Sequence, residues 1–323
     1  MAEQVKDFVT SQAQQIPVVA QCDVVVVGAG PAGLSAAVSA ARNGCSVTLV
    51  ERYHHLGGMA SGGMVLVLDD MVNEGKEIVT TGIVSEFVER MERQDGAVYP
   101  PAEDCVKSWE MWQKWSRWGC INFHEAGMPQ SILHAVAFDP DAWKRVSLDL
   151  VREAKVNLRL HSWFSEAIVE DGKISGIICQ TKLGRQAIKA DMVIDATGDL
   201  DLAASAGADY INGQYIVTTV FRLCDVDTDK AEAFEYANPE EYKKLDRQAR
   251  RVIGGAWGMW WLKTPLPGIV WCNCPHMTGY DGLSPEGMVA AEYEGRERMM
   301  NLLAFARESI PGFENAKMLG AAE

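Results

Sequence analysis

The chain has no long apolar run, no surplus of positive charge and no closely paired cysteines at metal or redox spacing. Nothing in it approaches the twenty or so consecutive apolar residues that cross a bilayer, and the run Val24–Val27 is far too short. The first twenty residues carry Glu3, Lys6, Asp7 and four glutamines, so they lack the apolar core of a signal peptide. They read as an irregular or short helical lead-in, and the expected location is cytoplasmic. Basic residues number 30 against 44 acidic ones, a formal charge of −14. That balance excludes nucleic acid or an anionic membrane surface as the main partner, and reads as simple solubility. The eight cysteines contain no Cys-x-x-Cys; the nearest pair is Cys272-Asn273-Cys274. They are expected to be thiols in a reducing compartment rather than a disulfide framework. Internal repeats and low-complexity tracts are also missing.

What is present is concentrated near the start. Residues 24–33 read Val-Val-Val-Val-Gly28-Ala-Gly30-Pro31-Ala32-Gly33. An uninterrupted β-branched run is expected of a strand buried on both faces. The stretch Leu34–Arg42 is rich in small helix formers and stops near Gly44. A second apolar strand then ends at Glu51, 18 residues after Gly33. In a strand–turn–helix of this kind Gly28 permits the tight turn. Gly30 leaves room for a pyrophosphate, and Gly33 lets helix and sheet pack closely. The helix N-terminus offers N–H groups to phosphate, and an acid at Glu51 accepts hydrogen bonds from a ribose.

Beyond Glu51 lies a glycine-rich stretch with Gly57, Gly58, Met59, Ala60 and Ser61. Residues 69–130 read as an excursion, with helical patterning around 81–95, a Pro100-Pro101 break and a tryptophan-rich run. Asp139-Pro140 signals a helix start that runs to about Ala154. Val156–His161 reads as a strand, and 164–189 as a small antiparallel meander turning at Glu170-Asp171-Gly172-Lys173. Asp191–Asp195 is a further strand, followed by Ala196-Thr197-Gly198-Asp199. From about Ala208 strands near 215–226 and 268–274 alternate with helices near 230–252 and 285–308. With 48% apolar and 23% charged residues, the expected fold is α/β. Residues 1–207 form a Rossmann-like domain with a parallel sheet and a small antiparallel meander. Residues 208–323 form a mixed α+β substrate or cap domain.

These motifs resemble those of FAD-dependent oxidoreductases with a glutathione-reductase-like fold. The carrying residues are Gly28, Gly30, Gly33, Ala37, Gly44 and Glu51-Arg52, then Gly57-Gly58 with Ser61, then Asp195 to Asp199. Phe221-Arg222, Leu266-Pro267-Gly268, Asn273, Gly279-Tyr280-Asp281 and Ile310–Asn315 resemble the broad bacterial FAD-dependent oxidoreductase family. The resemblance covers the chain from about residue 20. It implies FAD as cofactor, held by Gly28, Gly30, Pro31, Ala32, Gly33, Glu51, Arg52, Gly57, Gly58, Met59, Ala60, Ser61, Ala196, Thr197, Gly198 and Asp199. Leu200 departs from it, because a glycine is common after Gly-Asp. The C-terminus departs too: no strand–glycine–helix pattern after Gly287 reads as a return to the first domain. The resemblance therefore implies a truncated protein, a gene fragment or a subunit completed by another chain; the expected partners are a small-molecule substrate and a second copy or completing subunit.

His276 is the candidate base toward a substrate hydroxyl or amine, against a structural, hydrogen-bonded histidine. Arg222 is the candidate anchor for a substrate carboxylate, against an ion pair with one of the many acids. His124 and His134 flank a segment rich in small and polar residues, with no spacing argument for either. His54-His55 lacks a third ligand at metal spacing, so no metal is expected. Trp109, Trp112, Trp115 and Trp118 recur every third residue and read as a helix packed on the core or on another subunit, against an aromatic cap over the substrate or a membrane-facing patch, with Glu110, Lys114 and Arg117 on its solvent side. The function expected is hydride transfer from a small organic substrate to flavin. The alternatives are a nicotinamide-dependent dehydrogenase and a non-catalytic FAD-binding subunit that needs a C-terminal partner.

Overall fold

The computed structural model describes residue 9 and residues 13–73, 77–213, 215–255 and 259–322. Most of the expected N-terminal lead-in, residues 1–8 and 10–12, lies outside the described residues. The first strand is longer than its apolar run: it spans Val18–Val27, and only Val24–Val27 are buried throughout. Alternation explains why all four are apolar. Val24 and Val26 enter one hydrophobic core with Leu34, Ala37, Trp143 and Val146. Val25 and Val27 enter another with Ile177, Cys179, Ile188 and Leu202. Both faces of the strand are covered, so neither tolerates a polar side chain.

The main sheet has six strands. In spatial order they are Asn157–Arg159, Val47–Val50, Val18–Val27, Gly184–Asp195, Lys173–Thr181 and Trp163–Glu170. The first four run parallel, and the last two add on antiparallel. The register aligns the strand ends: Val27 pairs with Val50 and with Asp195, and Val50 pairs with Arg159. Gly28, Glu51 and Ala196 therefore emerge side by side beyond the carboxyl edge, where ligands of such sheets bind. The meander is present, and its turn has Asp171 and Gly172 both at positive φ (51° and 75°), the geometry that tightens a two-residue hairpin.

One expectation needs correction here. The segment Asp191–Asp195 is not a separate strand; it is the second half of Gly184–Asp195. No breaker lies between Gly184 and Asp195, so one strand closes the meander and then joins the parallel sheet.

The chain beyond residue 208 builds a four-stranded antiparallel sheet in the order Leu262–Lys263, Val270–Cys272, Phe221–Cys224, Lys317–Ala321. Helices Thr228–Ala237, Pro239–Ile253 and Pro285–Ser309 accompany it. The helix expected over 230–252 is two, divided at Asn238-Pro239, because proline cannot donate to the preceding turn. Phe221, Leu223, Trp260, Trp261 and Phe313 fill one core on this sheet. Val220, Leu262 and Trp271 belong instead to the first core. The strand Lys317–Ala321 was not expected after Gly287; it pairs antiparallel with Phe221–Cys224 in this second sheet.

The tryptophan run also departs from expectation. Its helix spans only Trp109–Trp115 and then tightens into a 3₁₀ turn, Ser116–Trp118. The tighter winding turns Arg117 inward. Instead of facing solvent it is 2% exposed. Its Nε and one terminal nitrogen donate to Glu235 at 3.0 and 2.7 Å, and another donates to the Trp261 carbonyl at 3.0 Å. It also donates to the Tyr242 hydroxyl at 2.5 Å, and its guanidinium lies 4.0 Å from the centre of the Trp261 ring. Trp112 and Trp115 are buried in the core as expected, whereas Trp109 is exposed.

Candidate cofactor site

Three segments far apart in sequence close around one cavity of about 780 Å³. Gly28, Gly30, Pro31 and Ala32 come from the first turn, and Glu51, Arg52, Gly58 and Met59 from the second strand and its loop. Ala196, Thr197, Gly198 and Asp199 come from the end of Gly184–Asp195. The other four residues expected at the cofactor, Gly33, Gly57, Ala60 and Ser61, do not line the cavity. They lie behind the wall. A Cβ on Gly33 would sit 1.8 Å from the Gly28 carbonyl oxygen, and one on Gly57 2.6 Å from Trp143. The Ser61 hydroxyl donates to the Leu56 carbonyl at 2.7 Å, which ties down the loop.

The glycines of the first turn divide by role. Gly28 has φ +96°, and a Cβ there would meet the Ala196 carbonyl oxygen at 2.2 Å. It is required by the fold itself. Gly30 is different. Its φ of −68° and ψ of −176° are extended backbone open to any residue, and a Cβ would meet no protein atom within 4 Å. What a side chain at Gly30 would fill is the cavity. Across it, a Cβ on Gly58 would come within 3.0 Å of the Gly30 Cα, so the two glycines face each other closely. The helix Pro31–Arg42 begins here with no side-chain cap, which leaves its first-turn N–H groups and positive dipole end for an anion.

The acids are fixed by the backbone. Glu51 is buried; its Oε2 accepts from the Ala29 N–H and its Oε1 from the Tyr53 N–H, both at 2.9 Å. Each oxygen keeps lone-pair capacity for a further donor such as a ribose hydroxyl. Asp195 Oδ1 accepts from the Thr197 N–H and hydroxyl at 3.0 and 2.7 Å, and its Oδ2 accepts from the Ala203 N–H at 2.9 Å. The Thr197 hydroxyl oxygen in turn accepts from the Asp201 N–H at 3.0 Å. Burial, and then Asp199, raise the Asp201 carboxyl above the ordinary aspartate range. Leu200 occupies the left-handed conformation, φ 60° and ψ 30°, which glycine adopts freely.

Several wall residues escaped the sequence reading: Tyr53, His55, Ser162, Trp163, Asp201 and Ser205. Arg52 lies over the Tyr53 ring at 4.9 Å and the Trp163 ring at 5.5 Å. The two rings meet edge to face at 68°, so together with Arg52 they make a cationic and aromatic wall on which a base can stack against one ring or the guanidinium. Trp163 reaches the site only because Asn157–Arg159 pairs beside Val47–Val50 and the chain then turns, with the Ser162 N–H donating to the Glu51 carbonyl at 3.0 Å. Nothing local in the sequence marks that juxtaposition. Thus the open glycine face, uncapped helix end, anchored acid and stacking wall fit the pyrophosphate, ribose and adenine of FAD.

His276 and Arg222 do not line this cavity. His276 starts the short strand His276–Met277, with Nδ1 3.0 Å from the Thr218 hydroxyl, and burial lowers its pKa. Arg222 lies on Phe221–Cys224, 3.6 Å from Asp139. Asp139 caps the helix Pro140–Glu153, its Oδ2 accepting from the Ala142 N–H at 2.8 Å. His124 is exposed near Asp70, and His134 packs edge-on against Tyr99. His54 contacts His55 and His161, yet among the described residues no three His, Cys, Asp or Glu side chains gather as metal ligands.

Residues 23–323 match the family described as FAD dependent oxidoreductase. Among curated proteins, the NADH oxidase of Thermoanaerobacter brockii is 49% identical over 53 residues, which is 16% of this chain and 8% of that protein. The fold resembles a geranylgeranyl bacteriochlorophyll reductase-like protein of Thermoplasma acidophilum (TM-score 0.52, 18% identity, 94% of this chain and 65% of that one). It also resembles an L-amino acid deaminase of Proteus vulgaris (0.53, 15%, 98% and 80%). A third is the L-proline dehydrogenase of P. horikoshii (0.53, 15%, 95% and 81%). The match over 23–323 and the cavity built by its three motifs lead to one conclusion: the chain belongs to the FAD dependent oxidoreductase family, and FAD is its cofactor.

Proposed function

We propose that this protein takes a hydride from a small organic substrate. The observation that carries the reading is the convergence of three glycine- and acid-bearing segments on one cavity at the carboxyl edge of the parallel sheet. Bound there, FAD supplies an acceptor for two electrons and a hydride. The residues divide the remaining work. Gly30, Gly58 and the start of helix Pro31–Arg42 receive the pyrophosphate, Glu51 orients the ribose, and Arg52, Tyr53 and Trp163 hold the adenine. In the chain beyond residue 208, His276 is the candidate to take a proton from a substrate hydroxyl or amine. Its lowered pKa keeps it neutral, and so able to accept, near pH 7. Arg222 is the candidate to hold an anionic substrate group. The family match supports FAD over the nicotinamide-dependent alternative.

A second reading has support from the sheet. Gly184–Asp195 pairs with Lys173–Thr181 only as far as Lys189; beyond it, among the described residues, the strand pairs on the Val18–Val27 side alone. Met192 is exposed there. Such an edge is a template for a strand from another segment or subunit. The test of the leading reading is anaerobic mixing of the flavin-loaded protein with small alcohols, amines, hydroxy acids and amino acids. A substrate bleaches the blue flavin band, and the band returns on admitting air or an electron acceptor. If no compound bleaches it while dithionite does, the binding-subunit reading takes its place.

A further inference from the structure

Arg222 and Arg117 are both largely buried guanidinium groups, and their surroundings are opposite. Arg117 makes four hydrogen bonds to Glu235, Tyr242 and Trp261. Arg222, with 14% of its side chain exposed, makes none among the described residues. Among the described residues its Nε is sealed from solvent without an acceptor, and the charged group paired with it is Asp139 at 3.6 Å, beyond hydrogen-bond reach. Asp139 Oδ1 is likewise buried without a donor among the described residues, since the helix cap uses only Oδ2. Trp271 pairs with Arg222 across neighbouring strands, and its Nε1–H is buried with no acceptor among the described residues. A purely structural guanidinium is expected to look like Arg117, because an unpaired buried donor or acceptor is costly.

We propose that Arg222, Trp271 and Asp139 form the subsite for a small organic acid that carries a hydroxyl or amine beside its carboxylate. The proposal rests on the redox reading above and names its substrate class. The guanidinium fork matches the two oxygens of a carboxylate, and the Trp271 Nε1–H is a further donor on the same sheet face. Asp139 sets the second requirement. A carboxylate alone would put two acids on one guanidinium. A ligand that also presents an O–H or N–H gives Asp139 Oδ1 the donor it lacks. The subsite lies where the second sheet meets the first core, since Trp271 packs in that core while its neighbours Val270 and Cys272 pack in the other.

The experiment uses the flavin-loaded protein with lactate and alanine as probes and lactamide and alaninamide as controls. Binding is followed by tryptophan fluorescence and by the flavin absorption envelope, and FAD content is measured separately. At least one acid should perturb both signals, and its amide should bind tenfold or more weakly. Arg222→Gln should weaken the acid by about 100-fold with FAD content unchanged, and Arg222→Lys should recover part of the loss. Asp139→Asn, which still caps a helix, should reduce the advantage of lactate over plain acetate. Folded, flavin-loaded wild type that ignores both acids would overturn the proposal, as would Arg222→Gln binding like wild type. Loss of FAD from the wild type would instead count against the redox reading, and tryptophan fluorescence would still report the subsite.

Discussion

Replacing Gly30 separates what the fold needs from what the cofactor needs. A Cβ there meets no protein atom within 4 Å and demands no unusual backbone. Gly30→Ala should therefore leave the folding stability of the apoprotein within about 0.5 kcal/mol, the range of a neutral surface change. With FAD present, the same methyl occupies space the pyrophosphate needs. Overpacking costs about 1–3 kcal/mol, so affinity should fall roughly 5- to 150-fold at about 1.4 kcal/mol per decade. Gly30→Val adds two more methyls into the same space and should abolish binding. Gly33→Ala is the contrasting control. Its Cβ would lie 1.8 Å from the Gly28 carbonyl oxygen, so the fold itself must fail or shift. Stability is read by chemical denaturation of the apoproteins, and affinity by quenching of FAD fluorescence on titration. Gly30→Val with wild-type FAD content would show that the pyrophosphate does not pass this turn. Gly30→Ala as unstable as Gly33→Ala would refute the division of roles.

Other outcomes follow from the same geometry. Glu51→Ala strands the Ala29 and Tyr53 N–H groups and removes the ribose acceptor; FAD affinity should drop by about 1–3 kcal/mol, measured by the same titration. Arg117→Ala leaves Glu235 and Tyr242 facing a buried gap and should cost about 3–5 kcal/mol in urea denaturation; a loss under 1 kcal/mol would show that the cluster contributes little. Leu200→Gly relieves the left-handed strain at an exposed position; after the glycine entropy cost, stability should rise by up to about 1 kcal/mol. Glu86, Glu153 and Glu125 are held below the ordinary carboxylate range by Arg42, Arg90 and Lys107 respectively, Glu125 at about 2. Their folded pKa values lie below the unfolded ones, so their contribution is complete above about pH 4.5 and is lost as pH falls toward about 2. The melting temperature should decline over that window, and less steeply in Arg90→Gln.

Much of the cofactor end was legible in the sequence because it is local. The Val24–Val27 run, the glycine turn, the small-residue helix and Glu51 each depend on neighbours within a few positions. The Asp139 cap and the Asp171-Gly172 turn were readable for the same reason. What escaped depends on distant pairing. Trp163 joins the wall only through the register of Val50 with Arg159. Arg117 looked like a solvent residue because a continuous helix was assumed, whereas the 3₁₀ turn and the partners Glu235, Tyr242 and Trp261 draw it inside. Lys317–Ala321 has weak strand character of its own and is held by Phe221–Cys224, almost a hundred positions earlier. The glycines need a finer reading as well: spacing marks Gly28, Gly30 and Gly33 alike, and only the packing shows that Gly30 is the one of the three where an added Cβ would meet no protein atom within 4 Å.

The central claim is that the cavity between Gly30, Glu51 and Thr197 holds FAD. Its most direct test is the absorption spectrum of the purified protein before and after denaturation. The expected result is a yellow protein with near-ultraviolet and blue flavin bands that releases FAD, or a colourless apoprotein that takes up added FAD and gains those bands. A colourless protein that ignores FAD and binds NAD tightly would contradict it.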